Sequence, residues 1–145
     1  WSQVVPGAAG YDYIKLPKRA TAGSAGYDFY STMTLRLTPN TEIVIPTGIR
    51  CRIDEGWTLM LFPRSGLGFN FRLGLANTVG IIDSDYYYSD NEGHIMIKLV
   101  NNGDKIVTIT EGQAFAQGVF VPYGITFDDD ATAVRNGGMG STDTQ

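Results

Sequence analysis

One cysteine and one histidine, Cys51 and His94, stand among the 145 residues. A single cysteine excludes an intramolecular disulfide and makes a cysteine-based zinc site a poor reading. A single histidine removes multi-histidine metal sites and leaves any Ser-His-Asp triad resting on one residue. No apolar run approaches the ~20 residues of a membrane span, so the chain is expected to be soluble and cytoplasmic, with no membrane partner. Basic residues are also few: 11 Lys and Arg stand against 15 Asp and Glu, a formal net charge of -4. That balance argues against the basic face of a general nucleic-acid binder. No stretch of about 12 residues sustains apolar spacing at three and four, so long helices are not expected. The sequence opens on Trp1 instead of Met, as expected of a trimmed chain, and no signal-peptide pattern is read in it.

What the chain does have is turns and short apolar segments. Hydrophobic residues make up 43%, with 18 glycines and 6 prolines, which suits one globular domain cut into short elements. Residues 41–46 are rich in β-branched side chains. Residues 49–53 alternate, with Ile49, Cys51 and Ile53 opposed to Arg50 and Arg52, the period of a strand with one buried face. Residues 57–62 form a largely apolar run, as in a strand buried on both faces. Ile95, Ile97 and Leu99 oppose His94, Met96 and Lys98. Residues 105–110 and 114–121 complete the set. Strand formers recurring every 8–12 residues between glycine-containing breaks predict an all-β fold, a sandwich or barrel. One short helical turn is expected around 65–71. Residues 1–134 read as the domain. Residues 135–145, with almost nothing to bury, read as its mobile tail.

Five stretches could carry chemistry. Asp28 follows Gly23 and Gly26 and lies between Tyr27 and Phe29, as either a metal-linked acid or a turn residue. Residues 63–67 join an apolar strand to a glycine turn carrying Arg64, Ser65 and Gly66, an anion pocket or a helix cap with a surface arginine. Residues 77–86 deliver Asp83 and Asp85 to the end of an apolar strand, followed by Tyr86, Tyr87 and Tyr88. Carboxylates so placed are available for general-base work, and the Asn77 amide can read a base edge; an acidic hairpin turn is the plainer alternative. Gln117 sits in an apolar strand, where it needs a hydrogen bond, structural or to a ligand. Arg135 heads a glycine-rich segment ending in Ser141 and Thr142. That segment is an anion cradle or simple disorder, and not a Walker A loop, since the lysine is missing.

Taken in order, the five stretches resemble the five motifs of the trimeric dUTPases, over residues ~15 to 142. The resemblance implies a distorted jelly-roll fold and a homotrimer. Three active sites would each draw motifs from more than one subunit, with the tail closing over a neighbour's site. It also implies hydrolysis of dUTP to dUMP and pyrophosphate with Mg2+. By position, Asp83 matches the carboxylate that activates the attacking water, and Tyr86 the ring that stacks on deoxyribose and excludes a 2′-hydroxyl. Asn77, with Ile81 and Ile82 on the hairpin and Met96 on its returning strand, matches the uracil reader. Arg64, Ser65, Gly66 and Gln117 match phosphate contacts. Asp28 matches an acid acting on Mg2+ through its waters. Arg135, Met139, Gly140, Ser141 and Thr142 match the closing tail.

Three departures stand out. Met139 replaces the tail's usual aromatic ring, so stacking on uracil should weaken. Residues 87–92 lengthen the third-motif hairpin at its tip, with an intact base pocket and a changed rim expected. Asp143 stands where glycine is common, close to where a γ-phosphate would lie. His94 takes no catalytic role and is expected on a strand face. The alternatives are a dCTP deaminase-like enzyme of the same fold and a non-catalytic nucleotide-binding or regulatory trimer.

Overall fold

The structure, a computed structural model, describes residues 1–4 and 14–140. Twelve short strands follow one another: β1 (Ser2–Gln3), β2 (Lys18–Arg19), β3 (Tyr27–Tyr30), β4 (Leu35–Leu37), β5 (Glu42–Pro46), β6 (Ile49–Arg50), β7 (Trp57–Pro63), β8 (Leu73–Leu75), β9 (Gly80–Ile82), β10 (Met96–Asn101), β11 (Val107–Ile109) and β12 (Ala114–Pro122). One α-helix, α1 (Ser65–Phe71), follows β7, and one 3-10 turn (Ser84–Tyr88) follows β9. All strand pairs are antiparallel. The largest sheet has the order β2-β3-β12-β7-β9, a second runs β5-β10-β8, and β1-β6 and β4-β11 form two smaller pairs. The result is all-β, as the strand spacing predicts, and is the jelly roll that the resemblance implies. No helix among the described residues is long and apolar enough to cross a membrane.

The alternation in the sequence shows which faces meet. Ile95, Ile97 and Leu99 are buried and join Phe29, Phe115, Leu59, Ile45 and Ile109 in one core. Phe115 is completely buried, and truncating such a ring to alanine costs about 3–5 kcal/mol. α1 spans the predicted residues 65–71. Two expectations need correction. In 49–53 the buried face holds at Ile49, Cys51 and Ile53, but strand pairing stops at Arg50. β7 is not buried on both faces: Leu59 and Leu61 point into the core, while their neighbours are exposed or half-buried, because only one side of this sheet packs on the second sheet.

Candidate active site

Three antiparallel strands set the first half of the site. Asp28 on β3 lies opposite Gln117 on β12, and Gln117 lies opposite Phe62 on β7. One residue after β7 comes Arg64, the N-cap of α1. Its Nη1 donates to Asp28 Oδ2 at 2.6 Å. Asp28, Arg64, Ser65 and Gln117 line one cleft of about 330 Å³ with Gly26 at its wall. Gln117 Nε2 donates to the Pro63 carbonyl at 3.2 Å, so the half-buried amide has a structural partner and a place in the cleft at once. Gly26 makes room for it, since a Cβ there would overlap Gln117 Oε1. Gly66 is exposed on the first turn of α1, where helix N–H groups lack partners within the helix.

The second half is built at the far end of β7. The corner 76–79 carries the chain from β8 to β9, with Thr78 at φ 69°. A β-branched residue is strained there, and the corner is held by Val79 N donating to the Asn77 carbonyl at 2.8 Å. Ala76 N donates to the Lys98 carbonyl, so Asn77 stands one step beyond that bond, in the turn, while half-buried Met96 opens β10. Ile81 is exposed and Ile82 half-buried on β9. Asp83 then caps the 3-10 turn that carries Tyr86.

Tyr86 is buried, only 6% exposed. Its hydroxyl donates to the His94 carbonyl and accepts from Asn91 Nδ2 at 2.9 Å. Burial raises its pKa, partly opposed by the Asn91 donor and the Arg135 charge. The tail reaches the same place. Arg135 Nη2 donates to Asp83 Oδ2 at 2.5 Å, and its Nε donates to Asp85 Oδ1 at 2.7 Å. Asp90 N donates to the Asn136 carbonyl at 2.6 Å. A Cβ on Gly138 would overlap the Tyr86 ring, so glycine is what lets the tail lie against it. Met139 and Gly140 follow, exposed, with φ of 57° and 93°. Ser141, Thr142 and Asp143 lie outside the described residues, as does the end of the predicted tail.

The two halves do not meet within one chain. Asp83 is level with Thr58 on β7, four residues or about 13 Å along the strand from Phe62, and three strand spacings, about 14 Å, from β3. That puts Asp83 on the order of 20 Å from Asp28. His94 precedes β10 instead of lying on its face, and its Nε2 accepts from Gly48 N at 2.9 Å. Burial pushes the Cys51 thiol up to about 11, so it is not a poised nucleophile. Sequence reasoning missed the 3-10 turn, the role of Asp85 as second partner of Arg135, and the inward-facing Ser89 and Asn91. The only signal was their turn-type composition, which reads equally as an exposed tip.

Comparison with known proteins identifies the family. A family model described as dUTPase matches residues 12–143. The deoxyuridine 5'-triphosphate nucleotidohydrolase of Lactococcus lactis subsp. lactis is 39% identical over 132 residues, covering 89% of this chain and 88% of that protein. The one from Hahella chejuensis is 40% identical over 140 residues, covering 91% and 89%. Among solved structures, the dUTPase from Streptococcus mutans superposes with a TM-score of 0.70 at 37% identity, covering 79% of this chain and 90% of that one. A mutant dUTPase from phage phi11 of S. aureus, in which a structural Mg(II) ion is coordinated, gives a TM-score of 0.67 at 26% identity, covering 84% and 92%. With a family model spanning nearly its whole length and relatives at this identity, the chain belongs to the dUTPase family.

Proposed function

We propose that this chain hydrolyses dUTP to dUMP and pyrophosphate, work that in the cytoplasm keeps uracil out of DNA and supplies dUMP for thymidylate synthesis. The reading is supported by the activity named for the relatives above. It is carried furthest by one observation: Asp28, Arg64, Ser65 and Gln117, from three separate stretches of sequence, line a single cleft. Arg64, Ser65, Gly66 and Gln117 would hold the phosphates there. Asn77, with Ile81, Ile82 and Met96, would read uracil, and Tyr86 would stack on deoxyribose. Arg135, Met139, Gly140, Ser141 and Thr142 would close over the triphosphate.

In this reading Asp83 accepts a proton from water as the water oxygen bonds the α-phosphorus. The bond from that phosphorus to the bridging oxygen breaks, and pyrophosphate leaves. A positioned general base contributes about 10²–10⁴-fold. Among the described residues no three His, Cys, Asp or Glu side chains converge as a metal cage. The cleft instead offers the single carboxylate of Asp28. That donor set suits Mg2+ held mainly by phosphate oxygens and waters, with Asp28 accepting from those waters. When bound, the ion offsets phosphate charge that an acidic protein cannot offset alone.

Asp83 and the phosphate cleft of one chain stand too far apart to serve one substrate. A homotrimer whose sites combine residues of different copies would bring them together. The stretch after β12 fits that assembly: Ile125, Phe127 and Val134 are 74%, 109% and 87% exposed in the single chain, apolar surface that a neighbouring copy would cover.

The test is pyrophosphate release with Mg2+ from dUTP, dCTP, dTTP and UTP, for wild type and Asp83→Asn. Release from dUTP alone, lost in the variant, is expected. Ammonia release from dCTP would instead favour the deaminase reading, and no release from any nucleotide would favour a binding protein.

A further inference from the structure

The long third-motif hairpin does not project as a loose tip. Ser89 is 6% exposed, and its Oγ lies 2.6 Å from both the Tyr86 carbonyl and Asn91 Oδ1, two acceptors for one hydroxyl hydrogen. Asn91 is thereby turned so that its Nδ2 donates to the Tyr86 hydroxyl, which in turn donates to the His94 carbonyl. Gly93 closes the segment at φ 69°, where a Cβ would lie 2.7 Å from Tyr87 Cα. From the other side Arg50 Nη2 donates to the Tyr87 carbonyl at 2.7 Å, and the guanidinium carbon stands 3.7 Å from the centre of the Tyr87 ring. The extra residues therefore reach back and hold the neighbouring ring by its tip. A phenol fixed at two points cannot tilt. A phenyl ring of the same shape without those bonds could.

We propose that residues 87–92 act as a brace for sugar selectivity, with Asn91, oriented by Ser89, as the positioning residue that holds Tyr86 where it leaves no room for a ribose 2′-hydroxyl. The inference rests on the reading of the chain as a dUTP hydrolase with Tyr86 against the sugar. It goes beyond that reading by giving the hairpin extension a role in choosing between deoxyribose and ribose. Asn91 does not touch substrate in this scheme. It acts only through the Tyr86 hydroxyl.

The experiment measures kcat/KM for dUTP and for UTP in wild type, Asn91→Ala, Asn91→Asp, Ser89→Ala, Tyr86→Phe and the Tyr86→Phe/Asn91→Ala double variant. A carboxylate at 91 keeps the size but can only accept, and the single phenol hydrogen cannot serve both it and the His94 carbonyl, so one of the two fixing bonds is lost and Asn91→Asp should shift the preference in the same direction as Asn91→Ala. Preference for dUTP over UTP is expected to drop about tenfold in both, the scale of one hydrogen bond between partly buried groups, with kcat for dUTP changed less than about threefold. Ser89→Ala should show a smaller drop. Tyr86→Phe should lose the same preference, and adding Asn91→Ala should lose no more, because both remove one interaction. Unchanged preference in either folded Asn91 variant overturns the proposal. So does an equal loss on both nucleotides, or additivity in the double variant. If Asn91→Ala does not fold, Asn91→Asp and Tyr86→Phe decide alone. Wild type inactive on every nucleotide would instead defeat the dUTP reading itself, and the brace with it.

Discussion

Arg135 holds Asp83 and Asp85 at once, Nη2 to one carboxylate at 2.5 Å and Nε to the other at 2.7 Å. Its side chain is 16% exposed, against 51% for Asp83. The third guanidinium nitrogen, Nη1, donates to the Gly137 carbonyl at 3.1 Å, so each of the three nitrogens has a partner. The carboxylate proposed as general base is thus already engaged by the tail. A triphosphate that attracts Arg135 would free Asp83 as it binds.

Removing that fork should undo the docking. In Arg135→Ala the Asp90 amide, which donates to the Asn136 carbonyl, is expected to exchange its hydrogen at least about tenfold faster, since a charge-assisted pair no longer holds the tail. KM for dUTP should rise. Arg135→Lys should recover only part of both, because an ammonium cannot span two carboxylates as a fork does. Hydrogen exchange at Asp90 that is the same in all three proteins would show the tail held by something else.

Gly138 offers a sharper probe of the same contact. A methyl group there would overlap the Tyr86 ring, and that ring is pinned at its hydroxyl, so the tail must give way. Gly138→Ala is expected to lower kcat/KM for dUTP about tenfold or more, the scale of a small displacement at a positioned site. Its melting temperature should be unchanged, because the tail adds nothing to the core. A parallel loss of stability would mean the ring had moved instead.

Met139 is 67% exposed and belongs to the tail segment proposed to close over the substrate. Its thioether chain can cover uracil but cannot stack on it. Met139→Phe is expected to lower KM for dUTP several-fold, in line with about 0.5–1.5 kcal/mol for an aromatic pair. Equal KM values would show that the ring position does not reach the base.

His94 ties stability to pH. Burial lowers its pKa, opposed by the Glu92 charge, and Nε2 accepts from Gly48 N, a bond available only to the neutral ring. The folded state therefore resists the proton that the unfolded chain takes up near its ordinary value of about 6.5. Stability is full above that pH and falls as the pH drops below it. Between pH 7.5 and 5.5 the melting temperature of wild type should fall further than that of His94→Gln, whose carbonyl can still accept from Gly48. Parallel falls would place the titration elsewhere.

Much of this was legible in the residues alone. The alternation of Ile95, Ile97 and Leu99 has one physical outcome, a strand with a buried face, and local turn residues set where each strand stops. α1 was visible as a short interruption between two apolar runs. The five motifs carried the family, because each pairs a residue type with a local backbone geometry that neighbouring residues dictate. Those features need only short-range sterics and the burial of apolar surface. Long-range pairing decided the rest. Asp83 meets Arg135 across 52 residues, and Asp28 meets Arg64 across 36. Asn91 turns inward because the Tyr86 hydroxyl and Ser89 are there to receive it. Whether a polar side chain faces water or a buried partner depends on what the fold brings opposite it, and only the packed sheets decided that.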